Sequence, residues 1–128
     1  MEKRTRDYRG YRDLKVYQFA YQLALEIHQL SKGFPKEERY VLVDQIRRSS
    51  RSVPSNIAEA WKKRRYEKAF ISKLIDCAGE GGETEVWLDF AFDFKYINQP
   101  THDDLMERYA EVNRMLNGMI EKSYKFCK

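Results

Sequence analysis

Eight cations crowd the stretch DQIRRSSRSVPSNIAEAWKKRRYEK between Asp44 and Lys68, and the chemistry they suit is the binding of a polyanion. They are Arg47, Arg48, Arg51, Lys62, Lys63, Arg64, Arg65 and Lys68, set against Asp44, Glu59 and Glu67. The segment carries +5, more than the +4 of the whole chain, so the other 103 residues sum to −1. On an ideal helix Arg48, Arg51, Ser55 and Lys62 fall opposite Ile46, Val53 and Ile57. They form a basic strip about three turns long, ending in the cluster Lys62–Arg65. Contacts from such a strip would go to phosphates, blind to sequence and sensitive to salt. A solvated helix face is the plainer reading of a charge run. Charge reversal at Arg48 and Arg51 is expected to weaken binding without unfolding the protein. No helix-turn-helix, zinc or RNP-type motif argues for base-specific reading.

Other chemistries find less. Glu85 falls in the middle of an apolar stripe, where a carboxylate needs a partner or stays protonated. Arg64 and Asn56 are the expected partners. A catalytic acid is one reading, and a polar contact that fixes helix register is the other. Asn56 and Glu59 are read as structural polar residues. A di-iron site needs Glu-x-x-His pairs, and neither His28 nor His102 follows a Glu by three. Cys77 and Cys127 lack metal-ligand spacing. No phosphate loop or nucleophile-histidine set is present. The expectation is a protein that is not an enzyme and takes no metal or cofactor.

Four amphipathic segments must position these residues. The first covers residues 11–30 and carries two apolar stripes. One is Leu14, Tyr17, Tyr21, Leu25 and His28, and the other is Val16, Ala20, Leu23, Ile27 and Leu30. A helix apolar over most of its circumference is central or meets a second partner. Gly33 is placed to cap it and Pro35 to stop it. The second helix starts near residues 36–38 and runs to about 65, on Leu42, Val43, Ile46, Ser49, Ser50, Val53, Ile57, Ala60 and Trp61. Pro54 inside it removes one backbone hydrogen bond, and Ser50 or Ser52 could satisfy the freed carbonyl.

The third segment, 66–96, has the stripe Phe70, Ile71, Leu74, Ala78, Gly81, Glu85, Leu88 and Phe92. Its AGEGGE run reads either as a loop or as a continuous helix that admits a close neighbour, and the unbroken stripe favours the helix. The fourth, 102–124, opens with a weak Thr101/Asp104 capping box and uses Leu105, Tyr109, Val112, Leu116 and Met119. Short connections between four such helices predict an all-α, single-domain, up-down-up-down four-helix bundle over 11–124. A basic arm, 1–10, precedes it and a short tail, 125–128, follows.

At 128 residues and 42% hydrophobic content the chain can bury a core without staples. Two cysteines make no disulfide framework, which favours a reducing, cytoplasmic setting. No apolar run approaches a membrane span. Residues 69–128 hold seven basic and eleven acidic residues, so the acidic half could meet the basic strip of a neighbouring copy. Trp87, Phe90, Ala91 and Phe94 cluster opposite the Leu88/Phe92 stripe, which is more apolar surface than one small bundle hides. Trp87, Phe90 and Phe94 are the expected oligomer interface. A ring of copies would multiply weak phosphate contacts.

Leu14-Lys15-Val16, Phe34-Pro35 with Glu38 and Tyr40, Gln45 to Arg48, and Ser52 to Glu59 together form a pattern. It resembles the four-helix-bundle proteins of the 23S rRNA intervening-sequence type, the S23 family, over roughly residues 11–120. The glycines that many members carry after the glutamate are replaced by Ala60 and Trp61-Lys62-Lys63-Arg64, so no role of theirs carries over. The resemblance implies a left-handed up-down bundle assembled as a homopentameric ring. Related retroelement accessory bundles form such rings and bind nucleic acid and a reverse transcriptase. The matching residues for binding RNA or DNA are Arg47, Arg48, Arg51, Lys62, Lys63 and Arg64. The alternative function is a protein–protein adaptor for which nucleic acid is incidental.

Overall fold

A computed structural model describes residues 10–127 and shows four helices with no strand among them. They are α1 (Lys15–Ser31), α2 (Leu42–Lys62), α3 (Glu67–Asp93) and α4 (Gln99–Glu121). Short 3-10 turns occupy Tyr11–Asp13, Lys36–Glu38 and Ser123–Lys125. Each helix packs on its neighbours in the order α1–α2–α3–α4–α1, the arrangement that short loops between antiparallel helices enforce. The expected basic arm lies outside the described residues except for Gly10.

The core follows from helical periodicity. α1 buries Val16, Ala20, Leu23 and Ile27, while α4 buries Leu105, Tyr109, Val112, Leu116 and Met119. Every expected core residue of α2 is buried, from Leu42 to Trp61, and Pro54 joins them without ending the helix. Truncating a fully buried residue such as Leu74 or Ile57 to alanine should cost ~2–5 kcal/mol, because the bundle cannot collapse fully into the space.

Several local expectations change. Gly33 has no positive φ. α1 ends instead through successive turn hydrogen bonds from Lys32, Gly33 and Phe34 to Gln29, Leu30 and Ser31. The second helix does not run unbroken from 36, because the 3-10 turn at Lys36–Glu38 is separate and α2 begins at Leu42. Ser50 Oγ donates to the Arg47 carbonyl, so it does not serve the carbonyl that Pro54 frees. The fourth helix starts three residues early, capped by Asn98 Oδ1, which accepts from the Thr101 N–H at 2.9 Å.

α3 is continuous through AGEGGE. Apart from α3's own backbone, no heavy atom lies within 4 Å of where a Cβ on Gly79, Gly81 or Gly82 would stand, so these glycines admit no close neighbour from another part of the described chain. The buried line of α3 is Phe70, Leu74, Cys77, Thr84, Leu88 and Ala91. The expected line through Ala78, Glu85 and Phe92 is one residue out of phase, and those side chains stand at the edge of the core. α3 ends in a Schellman turn: the Lys95 N–H donates to the Phe92 carbonyl at 2.9 Å and the Tyr96 N–H to the Ala91 carbonyl at 2.8 Å. Lys95 itself takes the left-handed conformation, φ 67°. Beyond α4, Phe126 returns to stack on Phe70 and to meet Trp61 edge-on, so this part of the expected tail packs on the core.

Candidate nucleic-acid interface

The basic strip lies on α2, whose core face is fixed by Ile46, Val53 and Ile57, and the structure divides it by what each cation touches. Arg47 is half-buried against α1: its Nε donates to Ser31 Oγ at 2.7 Å and its Nη2 reaches the His28 carbonyl at 3.4 Å. Arg51 donates to His28 Nδ1 at 2.9 Å. A guanidinium only donates, so Nδ1 accepts and the neutral ring carries its proton on Nε2. Partial desolvation, then Arg47, Arg51 and Lys32, hold the His28 pKa below its ordinary value, in keeping with that neutral form. Both arginines are thus held by uncharged acceptors. Among the described residues neither has a carboxylate partner.

Arg48 is placed otherwise. It bridges Glu80 at 3.2 Å and Glu83, both on α3. Its charge is spent on a contact between helices. A glutamate at position 48 would stand against two others, so Arg48→Glu carries a cost in stability beside any effect on binding.

The C-terminal cluster divides too. Lys63 meets Glu59 at 3.7 Å, while Glu59 also takes Lys73 of α3 at 3.1 Å. Arg64 lies 4.0 Å over the Trp61 ring and donates to its carbonyl at 2.9 Å. It does not reach Glu85. Lys62 and Arg65 are exposed, without an ion pair among the described residues. Asn56 bonds its own helix at the Ser52 carbonyl, 2.9 Å away. It too is no partner for Glu85, whose pKa is raised by partial burial and by Asp89. A polar contact that does cross the core joins Thr84 and Ser49, 2.8 Å apart.

The oligomer candidates lie together. Trp87, Phe90, Phe94 and Tyr96 form a ladder with ring centroids 6.0, 5.8 and 5.6 Å apart, extended to Phe34 at 5.4 Å. Phe90 and Phe94 are 44% and 52% exposed, whereas Trp87 is half-buried and donates to Glu83. Ala91 belongs to the core instead. Tyr124 and Phe126 do not cover the ladder, since Phe126 packs on Trp61 and Phe70.

Cys77 is buried, its thiol donating to the Val53 carbonyl at 3.1 Å, and burial pushes its pKa up to about 12. Such a thiol is a poor nucleophile at neutral pH. No cluster of metal-ligating side chains occurs among the described residues, and none of their helices is long and apolar enough to cross a membrane.

Two groups at this surface escape sequence reasoning. His28 and Ser31 anchor Arg51 and Arg47, yet nothing in the spacing links them across sixteen and more residues. Glu80 and Glu83 stand three residues apart on α3, and the cation they take depends on how α2 and α3 dock.

The model of a family described as 23S rRNA-intervening sequence protein matches residues 12–118. A solved protein of unknown function from the S23 ribosomal protein family of Bacteroides thetaiotaomicron is similar, with 30% identity and a TM-score of 0.75. The likeness covers 83% of this chain and 95% of that one. No curated protein sequence matches the chain.

Proposed function

This chain belongs to the 23S rRNA-intervening sequence protein family, and from that premise we propose a non-enzymatic, self-associating four-helix bundle that binds RNA or DNA by its phosphates. One observation carries the reading. Arg47 and Arg51 are fixed in place by Ser31 and His28, which orient their guanidinium groups without neutralising them. A pre-positioned, uncompensated cation is what a phosphate contact requires, because little side-chain freedom remains to be lost on binding. Lys62, the last residue of α2, and Arg65, in the turn that follows it, extend the field. Arg48, Lys63 and Arg64 contribute less, since carboxylates or Trp61 hold them.

Self-association proceeds through the exposed aromatic ladder of α3, in a ring whose pentameric number comes from the family resemblance. A ring repeats the Arg47/Arg51 site and raises affinity through multivalency. Two free cysteines, Cys77 and Cys127, suit a reducing cytoplasm. The ladder also favours a second reading, an adaptor whose partner is another protein docked on Phe90 and Phe94. The deciding experiment is size exclusion with light scattering, before and after nuclease, reading absorbance at 260 and 280 nm. A ring-sized species that sheds nucleic acid supports the proposal. A nucleic-acid-free monomer with no affinity for added RNA or DNA rejects it.

A further inference from the structure

Beyond Leu14, the first apolar stripe of α1 stays out of the core. Tyr21 and Leu25 are 49% and 48% exposed, and Tyr17 is half-buried. Together they form one wall of a groove of about 610 Å³ between α1 and α2. Its α2 side is built from Arg51, Pro54, Ser55 and Ala58, residues too short, apart from Arg51, to fill it. The Tyr17 and Tyr21 rings stack with centroids 5.8 Å apart and planes 29° apart. Tyr11 closes the row edge-on to Tyr17 at 5.0 Å, with the Arg12 guanidinium 4.8 Å over its ring.

The one ionised side chain that lines the groove among the described residues, Arg51, is a cation. No carboxylate lines it among the described residues. Because α1 and α2 run antiparallel, Arg51 meets His28 at one end while Ala58 lies toward the tyrosines at the other. Lys62 continues the 51–55–58 line by one further turn and is exposed. Eleven residues of helix separate Arg51 from Lys62, about 16 Å at 1.5 Å per residue. An aromatic shelf is thus set between cations a few nucleotides apart.

We propose that this groove takes unpaired bases of a single-stranded nucleic acid, stacked on Tyr21 and Tyr17, with the flanking phosphates on Arg51 and Lys62. The inference rests on the phosphate-binding reading above and narrows its ligand from nucleic acid in general to single strands. A duplex keeps its base faces covered and can offer the groove only phosphates. An open strand offers a π-face to Tyr21 and a negative charge to each end at once, without regard to sequence. A protein segment would find the same apolar shelf but would need acidic groups spaced to both ends.

The test is fluorescence anisotropy on the full-length protein at fixed salt. Three labelled ligands of about 12 nucleotides are compared: a single strand, an abasic oligomer with the same phosphates, and a duplex. The single strand should bind about tenfold or more tighter than the abasic oligomer, and the duplex should resemble the abasic oligomer. Tyr21→Ala, at an exposed position, should remove most of that ratio and leave abasic affinity unchanged, while Tyr21→Phe should keep it. Tyr17→Leu, which preserves apolar volume, should also lower the ratio.

Equal, salt-sensitive binding of single strand and abasic oligomer overturns the groove and leaves the phosphate reading standing. No binding of any ligand overturns both. A ratio that persists in Tyr21→Ala and Tyr17→Leu places stacking elsewhere and overturns the groove. An unchanged ratio with a smaller assembly by light scattering in Tyr21→Ala overturns it in favour of a subunit contact.

Discussion

The hydroxyls of Ser49 and Thr84 meet at 2.8 Å in the interior, where α2 and α3 pack face to face. Each hydroxyl has one proton, so the pair has two self-consistent arrangements. In one, Ser49 donates to Thr84 and Thr84 donates to the Glu80 carbonyl, 2.9 Å away. In the other, Thr84 donates to Ser49, whose own proton faces the more distant Ile46 carbonyl at 3.5 Å. Either way no apolar residue belongs opposite just one of them.

Thr84→Val should therefore cost about 1–2 kcal/mol, since it leaves the buried Ser49 hydroxyl only the distant Ile46 carbonyl. Ser49→Ala together with Thr84→Val should cost less than the two single changes added. Urea unfolding of the four proteins measures the coupling, and strict additivity would show the hydroxyls to be independent.

Lys95→Gly should stabilise the fold by about 1 kcal/mol. The Schellman turn needs a left-handed residue at position 95, where a side chain is strained and glycine is not. A rise in Tm of a few degrees with an unchanged helical spectrum is the expected readout. A fall would mean that the lysine side chain contributes more than its backbone strain costs.

Arg51→Glu should weaken nucleic-acid binding and flatten its salt dependence, losing about 0.7–0.9 in log–log slope for the phosphate contact removed. Arg48→Ala should leave the slope nearly unchanged, because Arg48 already faces Glu80 and Glu83. Its effect belongs in stability, at roughly 1 kcal/mol or less for a half-exposed pair. Titrations at several salt concentrations separate the two variants, and identical slopes would contradict the division of the strip.

His102 donates into Asp89 at 2.8 Å and Asp103 at 3.1 Å, and stacks on Phe92. The hydrogen bond to Asp89, more than that to Asp103, raises its pKa above the ordinary 6.5. The folded chain then binds a proton that the unfolded chain releases more readily. This stabilisation is full below about pH 6.5 and is lost as pH rises through the folded value. His28 works in the opposite sense, so the difference between wild type and His102→Gln isolates the effect. Wild type should lead by roughly 2–4 °C in Tm near pH 5.5 and lose that lead by pH 8.5. A lead independent of pH would point to packing on Phe92 alone.

Phe90→Asp with Phe94→Asp should break the proposed assembly without unfolding the subunit, since both side chains are about half exposed. Light scattering should report a subunit near 15.4 kDa with full helicity. An undiminished ring would move the interface off α3.

The four helices were legible because each segment repeats apolar residues at three-and-four spacing over many turns. On α2 that repeat places every core residue, from Leu42 to Trp61, on the buried side. On α3 the same logic held at Phe70, Leu74 and Leu88 and slipped by one position at Ala78, Glu85 and Phe92. Glycines and alanines blur the stripe there, and Thr84 is as small and as easily overlooked as Glu85 is conspicuous. The helix ends were harder to read. Lys95 takes a left-handed position that sequence assigns to glycine, and Asn98 caps α4 ahead of the expected Thr101.

The sequence by itself determined that the protein is a bundle of four amphipathic helices, that its positive charge is concentrated on the second, and that α1 has more apolar surface than a core needs. Periodicity and charge are local properties, and a helix displays them before it packs. Only the tertiary structure decided which cations remain available. Arg48 and Arg51 are three residues apart, yet docking gives one a pair of carboxylates on α3 and the other a neutral imidazole on α1. Whether a charge is spent or free depends on the group across the interface, and no spacing along one helix records what the neighbouring helix will bring to it.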